Sequence, residues 1–459
     1  MSCQFSCRSV SHHNTDRRTD ELPRVQEIAL QLRGFGSWPD HRLPAQDGPM
    51  QHHAHVARTA AALAAAMGIG RFVYTPILPL MTAQAGVSAH TAADLATANY
   101  VGYLVGAVAG SISPRLARSP LACRVSLLVL IASLALMPVA TTPIEWMALR
   151  AIAGAVSALV FVIAVNTMLE HLHSHPAHLA GWGFGGVGAG IALSAVLILA
   201  VSDWKAAWWA AAGVAAVLCV IAWPMRSAPA SAPTTVDDDA RTPHGPFSLL
   251  FVSYTLEGVG YIIAGTFLVA AVGQGAPQWL GGSTWLVVGM ASVPSAALWA
   301  ALSTRWSNPA LLTAALVVQA VGIAASGAAG GVTAALVGAV LFGGTFVGIS
   351  TLALAAGRML RYPRAVALLT AGYSVGQILG PLVVAPTLHH GFRPALVIGA
   401  VVVSVAALVA GVVRVVVGKP DRGTVQTEIA DVTGELVDDG QNPGVGVATP
   451  PHQRPRPQR

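Results

Sequence analysis

The sequence predicts an all-α integral membrane protein of twelve transmembrane helices, arranged as two pseudo-symmetric six-helix bundles. Three observations predict it. Of 459 residues, 54% are hydrophobic and only 10% charged, and the mean hydropathy of +0.62 exceeds that of a water-soluble globule of this length. Apolar runs of roughly 18 to 26 residues succeed one another, each long enough to cross a hydrocarbon core about 30 Å thick. A single polar, proline-rich stretch divides these runs into six and six.

The expected spans are α1 (Ala57–Met81), α2 (Asp94–Ser113), α3 (Leu121–Ala140), α4 (Glu145–Leu169), α5 (Leu179–Val201) and α6 (Ala206–Trp223), then α7 (Phe247–Val272), α8 (Thr284–Leu302), α9 (Leu311–Ala328), α10 (Val332–Ala356), α11 (Ala365–Leu388) and α12 (Pro394–Val417). The domain organisation expected is therefore a bundle at 57–223, a linker at 224–246 and a bundle at 247–417. The linker carries Pro229, Pro233, Pro243 and the acidic run Asp237, Asp238 and Asp239. Residues 1–56 and 418–459 are polar and lack apolar runs, and are expected to be disordered and cytoplasmic. Met50 stands just before the first span and is a candidate alternative start of translation.

Positive charge is retained on the cytoplasmic side of a membrane. One set of alternate loops holds Arg115, Arg118, Arg124, Arg226, Arg241, Arg305, Arg358, Arg361 and Arg364, whereas the opposite set holds Lys205 and Arg393. Both termini are then cytoplasmic. Trp146, Trp204, Trp208, Trp279 and Trp285 near the outer ends, and Trp223, Trp299 and Trp306 near the inner ones, read as an aromatic belt. Arginine in excess of lysine and abundant alanine fit a GC-rich bacterial gene and a multi-pass protein of the inner membrane.

The net charge of +6 is explained by that orientation signal rather than by nucleic-acid binding, because the basic residues are scattered through short loops and tails. Cys3, Cys7, Cys123 and Cys219 have no ligand-like spacing. The histidine-rich loop Glu170–His178 is expected to be exposed and solvated, so no metal and no cofactor is assigned.

Gly68-Ile69-Gly70 in α1 matches Gly258-Val259-Gly260 in α7 at an offset of 190 residues, and a similar offset superposes Gly181 and Gly185 of α5 on Gly372 and Gly376 of α11. Small residues every fourth position flatten a helix face for close approach. Such stripes occur at Gly102, Gly106 and Gly110 of α2 and at Gly372, Gly376 and Gly380 of α11. They serve either static packing or a rocking contact between the halves.

The run Gly68-Ile69-Gly70-Arg71-Phe72-Val73-Tyr74-Thr75-Pro76-Ile77-Leu78-Pro79-Leu80-Met81, with Ala98-Asn99-Tyr100-Val101-Gly102-Tyr103, resembles the YbfB/YjiJ-type family of major facilitator transporters. Glu257–Ile263 with Thr266-Phe267-Leu268, and Gly376-Gln377-Ile378-Leu379-Gly380-Pro381, extend the resemblance over Arg58 to Val417. It implies the major facilitator fold and a transporter, with α1, α4, α7 and α10 lining a central cavity, but no particular substrate. The chain departs from superfamily patterns at Pro114, where an acid is usual, and in α5, which lacks the antiporter proline. Arg150 with Gly154 resembles the superfamily's Arg-x-x-x-Gly element.

A charged side chain near the bilayer centre costs about 2.5–3.5 kcal/mol or more, so those present usually face a cavity and a partner. Arg71, Glu257 and Arg150 qualify. Arg71 is the expected fixed anchor for an anionic or amphipathic solute, since guanidinium stays charged and presents a fork of donors. Glu257 is the expected proton-responsive group, unless the two form a permanent ion pair that only staples the halves. Tyr74 and Tyr261, beside the repeated glycines, and Asn99, Tyr100, Asn166, Thr266 and Gln377 serve as cavity ligands or as interhelical bonds.

The expected function is secondary transport of a small-molecule substrate by alternating access, with protons as a candidate coupling ion, in a monomer embedded in the lipid bilayer. The alternatives are a membrane-embedded enzyme, for which no convergent catalytic groups appear, and a non-transporting ligand sensor. A nucleotide-binding Gly-Lys loop is also missing from the sequence. Reporter tags at both termini and within 224–246 are expected on the cytoplasmic face, and one at Gly275 outside; an external linker would overturn the six-plus-six arrangement.

Overall fold

The computed structural model describes residues 49–172, 177–225, 244–274, 278–328, 331–362 and 364–417. All but the first two of these belong to one compact unit, 51–459. The polar tails, most of the linker and part of the histidine-rich loop lie outside the described residues. Among those described, every regular element is helical.

Eleven helices are long and apolar enough to cross a membrane: α1 (His53–Ala85), α2 (Ala89–Ile112), α4 (Pro143–His171), α5 (Leu179–Ala200), α6 (Trp204–Ala222), α7 (His244–Gly273), α8 (Trp279–Leu302), α9 (Asn308–Gly327), α10 (Val332–Met359), α11 (Ala365–His390) and α12 (Arg393–Val417). The twelfth, α3 (Pro120–Leu136), is apolar but has 17 residues. Sequence punctuation sets the starts. Ser88, Ser119 and Asp203 accept a backbone N–H at the first turns of α2, α3 and α6. Thr142 and Glu145 close a capping box on α4, with Pro143 at the first helical position.

Four spans depart from the expected boundaries by four residues or more, among them α2, which starts five residues before Asp94. α3 ends four residues before Ala140, and α8 starts before Thr284 and is interrupted at Val293 and Pro294. The largest departure is in α1, expected to be continuous. A wide π-turn, Ala64–Ile69, leads into non-helical turns at Gly70, Arg71, Phe72 and Val73 before the α-helix resumes at Tyr74–Ala85. The cause is local. Pro76 has no N–H to give the carbonyl of Phe72 and its ring crowds that carbonyl, while Gly68 and Gly70 are poor helix formers. The chain compensates with longer-period bonds, Gly70 N–H to Ala65 O at 2.8 Å and Phe72 N–H to Met67 O at 3.2 Å.

Within the first six helices, α2 packs on α4, α3 on α4 and α6, and the π-turn of α1 on α5; within the last six, α7 packs on α11 and α12, and α9 on α10 and α12. Contacts between the halves run through α5 with α8, α2 with α11, and the outer segment of α1 with α7.

Both glycine stripes prove to be packing surfaces inside a half, not sliding faces between halves. A Cβ at Gly102 or Gly106 would collide with the carbonyls of Ala151 or Ala155 on α4, and one at Gly372, Gly376 or Gly380 with α7; Gly110 lies closest to Val162. The small residues that meet across the halves are Gly181, Gly185 and Gly188 of α5, against Ala297, Val293 and Gly289 of α8. The superposition of Gly181 and Gly185 on Gly372 and Gly376 is therefore corrected. Gly186 and Gly190, which press on Ala60, Ala64 and Gly68 of α1, are the packing counterparts of the α11 glycines on α7. In a glycine-rich helix several registers match by sequence, and only the partner distinguishes them.

The aromatic belt is also thinner than expected. Trp146, Trp204, Trp208, Trp285 and Trp299 are buried within the protein, whereas Trp223, Trp279 and Trp306 remain exposed. Nearness to a helix end does not tell which face a ring occupies.

Replacing Gly106 or Gly376 by Ala is expected to lower stability by about 1–3 kcal/mol, because the obstructing atoms are backbone. Gly213→Ala, where a Cβ meets nothing within 4 Å, is expected to change stability by less than about 0.5 kcal/mol. Thermal unfolding in detergent compares the three; equal losses would show that backbone contact is not what these glycines permit.

Candidate functional site

The break in α1 places its polar groups where lipid-depth packing would otherwise leave them bare. A carbonyl unpaired in an apolar setting costs free energy, so the freed carbonyls need donors. Arg150 of α4 supplies two, its Nη1 bonding Gly70 O and its Nη2 bonding Arg71 O, both at 3.0 Å. Ser157, two turns further along α4, donates to Ala66 O in the π-turn at 2.7 Å. Asn99 of α2 in turn donates to Arg150 O at 2.8 Å, and the Arg150 guanidinium lies over the rings of Tyr74 and Trp208. Arg150, one of the three charged candidates, thus gives two of its donors to the backbone at the break. Asn99 acts as an interhelical bond, as does Tyr74, whose hydroxyl donates to Ala92 O at 2.9 Å.

With its backbone fixed by Arg150, Arg71 projects into a cage of rings and neutral polar groups. Its guanidinium lies 4.3 Å from the ring centre of Tyr103, 5.0 Å from Tyr100 and 5.2 Å from Phe72. It donates to the Tyr261 hydroxyl at 3.4 Å and to the side-chain oxygen of Gln377 on α11, while Nε has no partner. Tyr100 and Thr266 join hydroxyls at 2.8 Å, and Thr75 donates to Gly265 O. These four bonds all connect the first six helices to the last six. Two of them, Arg71 to Tyr261 and Thr75 to Gly265, join residues 190 apart, the offset of the α1 and α7 repeat. Equivalent residues therefore meet at the axis relating the halves.

Arg71 and Glu257 form no ion pair; the ion pairs among the described residues are His90 with Asp94 and Arg118 with Glu170. The register explains why. Tyr261 is the residue opposite Arg71, and Glu257 lies four residues back along α7, about 6 Å along the axis. Its side chain is fully buried, with Gln319 of α9 as its polar neighbour. Asn166 lies apart from the cluster, sixteen residues beyond Arg150 on α4, about 24 Å along the helix.

Several members of the site were not singled out from sequence. Tyr373 of α11 stacks between Tyr254 at 4.5 Å and Tyr261 at 5.3 Å, and Phe346 of α10 lies 5.2 Å from Tyr261 and 5.5 Å from Phe72. Trp285 flanks Phe72 and donates to Ser194. Aromatic residues are ordinary core in a membrane bundle and carried no signal. Tyr103, one turn from Tyr100, and Gln319, an amide inside an apolar helix, did carry one.

Eleven helices long enough to span a membrane and a shorter twelfth have the major facilitator fold, and the family match makes the chain a membrane transporter. The chain belongs to the family described as uncharacterised MFS-type transporter YbfB, whose model matches residues 63–411. Among solved structures, it is similar to a point mutant of the nucleoside transporter NupG, with a TM-score of 0.61 over 78% of this chain and 99% of that one, at 12% identity. That likeness carries the fold alone. No curated protein sequence matches the chain.

Replacing Arg150 by Leu strands the carbonyls of Gly70 and Arg71 and is expected to cost about 1–3 kcal/mol for each. Ser157→Ala, which frees one carbonyl, is expected to cost less. Thermal unfolding of both variants measures this; a neutral Arg150→Leu would mean that the break does not depend on it.

Proposed function

We propose that the protein is a secondary active transporter that moves a small organic anion by alternating access, anchoring it on Arg71. The observation that carries this is a buried guanidinium at the contact of the two halves, with no carboxylate among the described residues at ion-pair distance. Its donors go to a phenol and an amide, both exchangeable for the stronger acceptor of a carboxylate or similar anion. Rings on three sides favour a solute with a flat or apolar body. Gln377, Tyr261, Tyr100 and Thr266 are then the groups whose bonds across the halves exchange as the solute binds and the halves rock.

In this reading the protein acts as a monomer in the bacterial inner membrane with both termini cytoplasmic. Protons drive the cycle through Glu257.

A thermal-shift screen of purified protein against organic anions, cations and neutral solutes tests the anchor. An anionic ligand at about 100 times its Kd stabilises by roughly 2.7 kcal/mol. That shift is expected to shrink in Arg71→Lys, which keeps charge but loses the planar fork, and to vanish in Arg71→Gln. Stabilisation by cations alone, or an undiminished shift in Arg71→Gln, would overturn the anchor. Glu257→Gln is expected to retain binding and to lose accumulation driven by a pH gradient in proteoliposomes; full gradient-driven flux would remove Glu257 from the coupling.

A further inference from the structure

Both carboxylate oxygens of Glu257 and both polar atoms of the Gln319 amide are buried, and the two side chains have no polar partner beyond each other. Buried polar atoms are nearly always satisfied, so an acid and an amide that find partners only in each other call for an explanation. The residue 190 positions earlier in the repeat, Met67, is apolar and buried, so the fold does not require an acid at this level. The acid and amide are peculiar to the last six helices.

We propose that Glu257 and Gln319 form a binding site for one small monovalent cation, a proton or Na⁺, between α7 and α9. It deepens the role given above to Glu257 but stands without the anion anchored on Arg71. A carboxylate at this depth without a counter-charge is strongly unfavourable, and no arginine or lysine among the described residues pairs with it. Facing it are Tyr254 and Tyr261 from its own helix, Tyr373 from α11 and Gln319 from α9. α10 and α12, also packed on α7, carry Arg358, Arg393 and Arg414 at their ends. A proton neutralises the acid directly. Na⁺ takes hard oxygen ligands, and the carboxylate, the Gln319 carbonyl and the Tyr254 hydroxyl provide them.

The cation site and the anion anchor share a neighbour. Tyr373 stacks on both Tyr254 and Tyr261 and interacts electrostatically with Glu257 and with Arg71. Filling the site therefore alters the surroundings of the guanidinium without contact between the two ions.

Infrared difference spectroscopy of the purified full chain tests this without a known substrate. The expected signal is the C=O stretch of a protonated carboxyl that bleaches as pH rises and is missing in Glu257→Gln. Loss of the band at fixed pH when choline is replaced by Na⁺ identifies a site that takes either ion; bleaching by pH alone identifies a proton site. Gln319→Leu, checked for folding by thermal unfolding, is expected to move the midpoint by about one pH unit, tenfold in cation affinity. Arg71→Gln is expected to keep the titration, which separates failure of this site from failure of the anion anchor. A spectrum in which Glu257→Gln removes no band, or a band indifferent to both pH and Na⁺, would overturn the proposal.

Discussion

The structure depends on a pair of hydrogen bonds from Arg150 to the carbonyls of Gly70 and Arg71. Backbone at membrane depth can leave the helical conformation only where protein supplies the missing partners. Pro76 and the two glycines make the break favourable, and Arg150 and Ser157 make it tolerable. Without the break Arg71 would be one more residue on a helix face. With it, the guanidinium stands beside its repeat counterpart Tyr261, at the axis between the halves. The two buried arginines differ in their partners: Arg150 gives its donors to backbone carbonyls, and Arg71 gives its own to the side chains of Tyr261 and Gln377.

Most of the fold was legible in the sequence because a bilayer imposes a coarse rule, an apolar run of fixed length, that needs no tertiary knowledge. The caps that set the starts of α2, α3, α4 and α6 are serine, threonine and aspartate, which apolar runs alone do not locate. The break in α1 was less visible, since the same run of apolar residues accommodates a helix or a π-turn and turn. Pro76 was in plain sight, but prolines are tolerated inside membrane helices, as Pro381 in α11 shows.

The site was legible in its charged members and not in its pairings. Arg71, Glu257 and Arg150 stand out in any membrane chain because their burial is costly. Which of them meet depends on register, and a displacement of one turn separates Glu257 from Arg71 while leaving Tyr261 in place. The glycine stripes teach the same lesson. Their spacing announces a close contact, yet only the carbonyls of Ala151, Ala155 and Thr255 identify the partner as a helix of the same half.

Keeping the acid away from the arginine has a consequence for mechanism. A direct ion pair would bury both charges in a fixed geometry and leave neither free to respond to a ligand. Here the positive group lies where the halves touch and is held by neutral partners, which in the proposed function a solute replaces. The acid lies a turn away inside one half, beside an amide. The stack Tyr254–Tyr373–Tyr261 spans the distance between them, drawn from α7 and α11. Those helices are packed tightly together at Gly258 and Gly376, which leaves no gap between them to take up a change of charge at Glu257 in the proposed coupling. In that proposed coupling the change would be passed along the tyrosines towards the guanidinium or into a shift of α7 and α11 as one body. Both proposed routes would end at Arg71, because Tyr261 and Gln377, its two hydrogen-bond partners across the halves, belong to those same two helices.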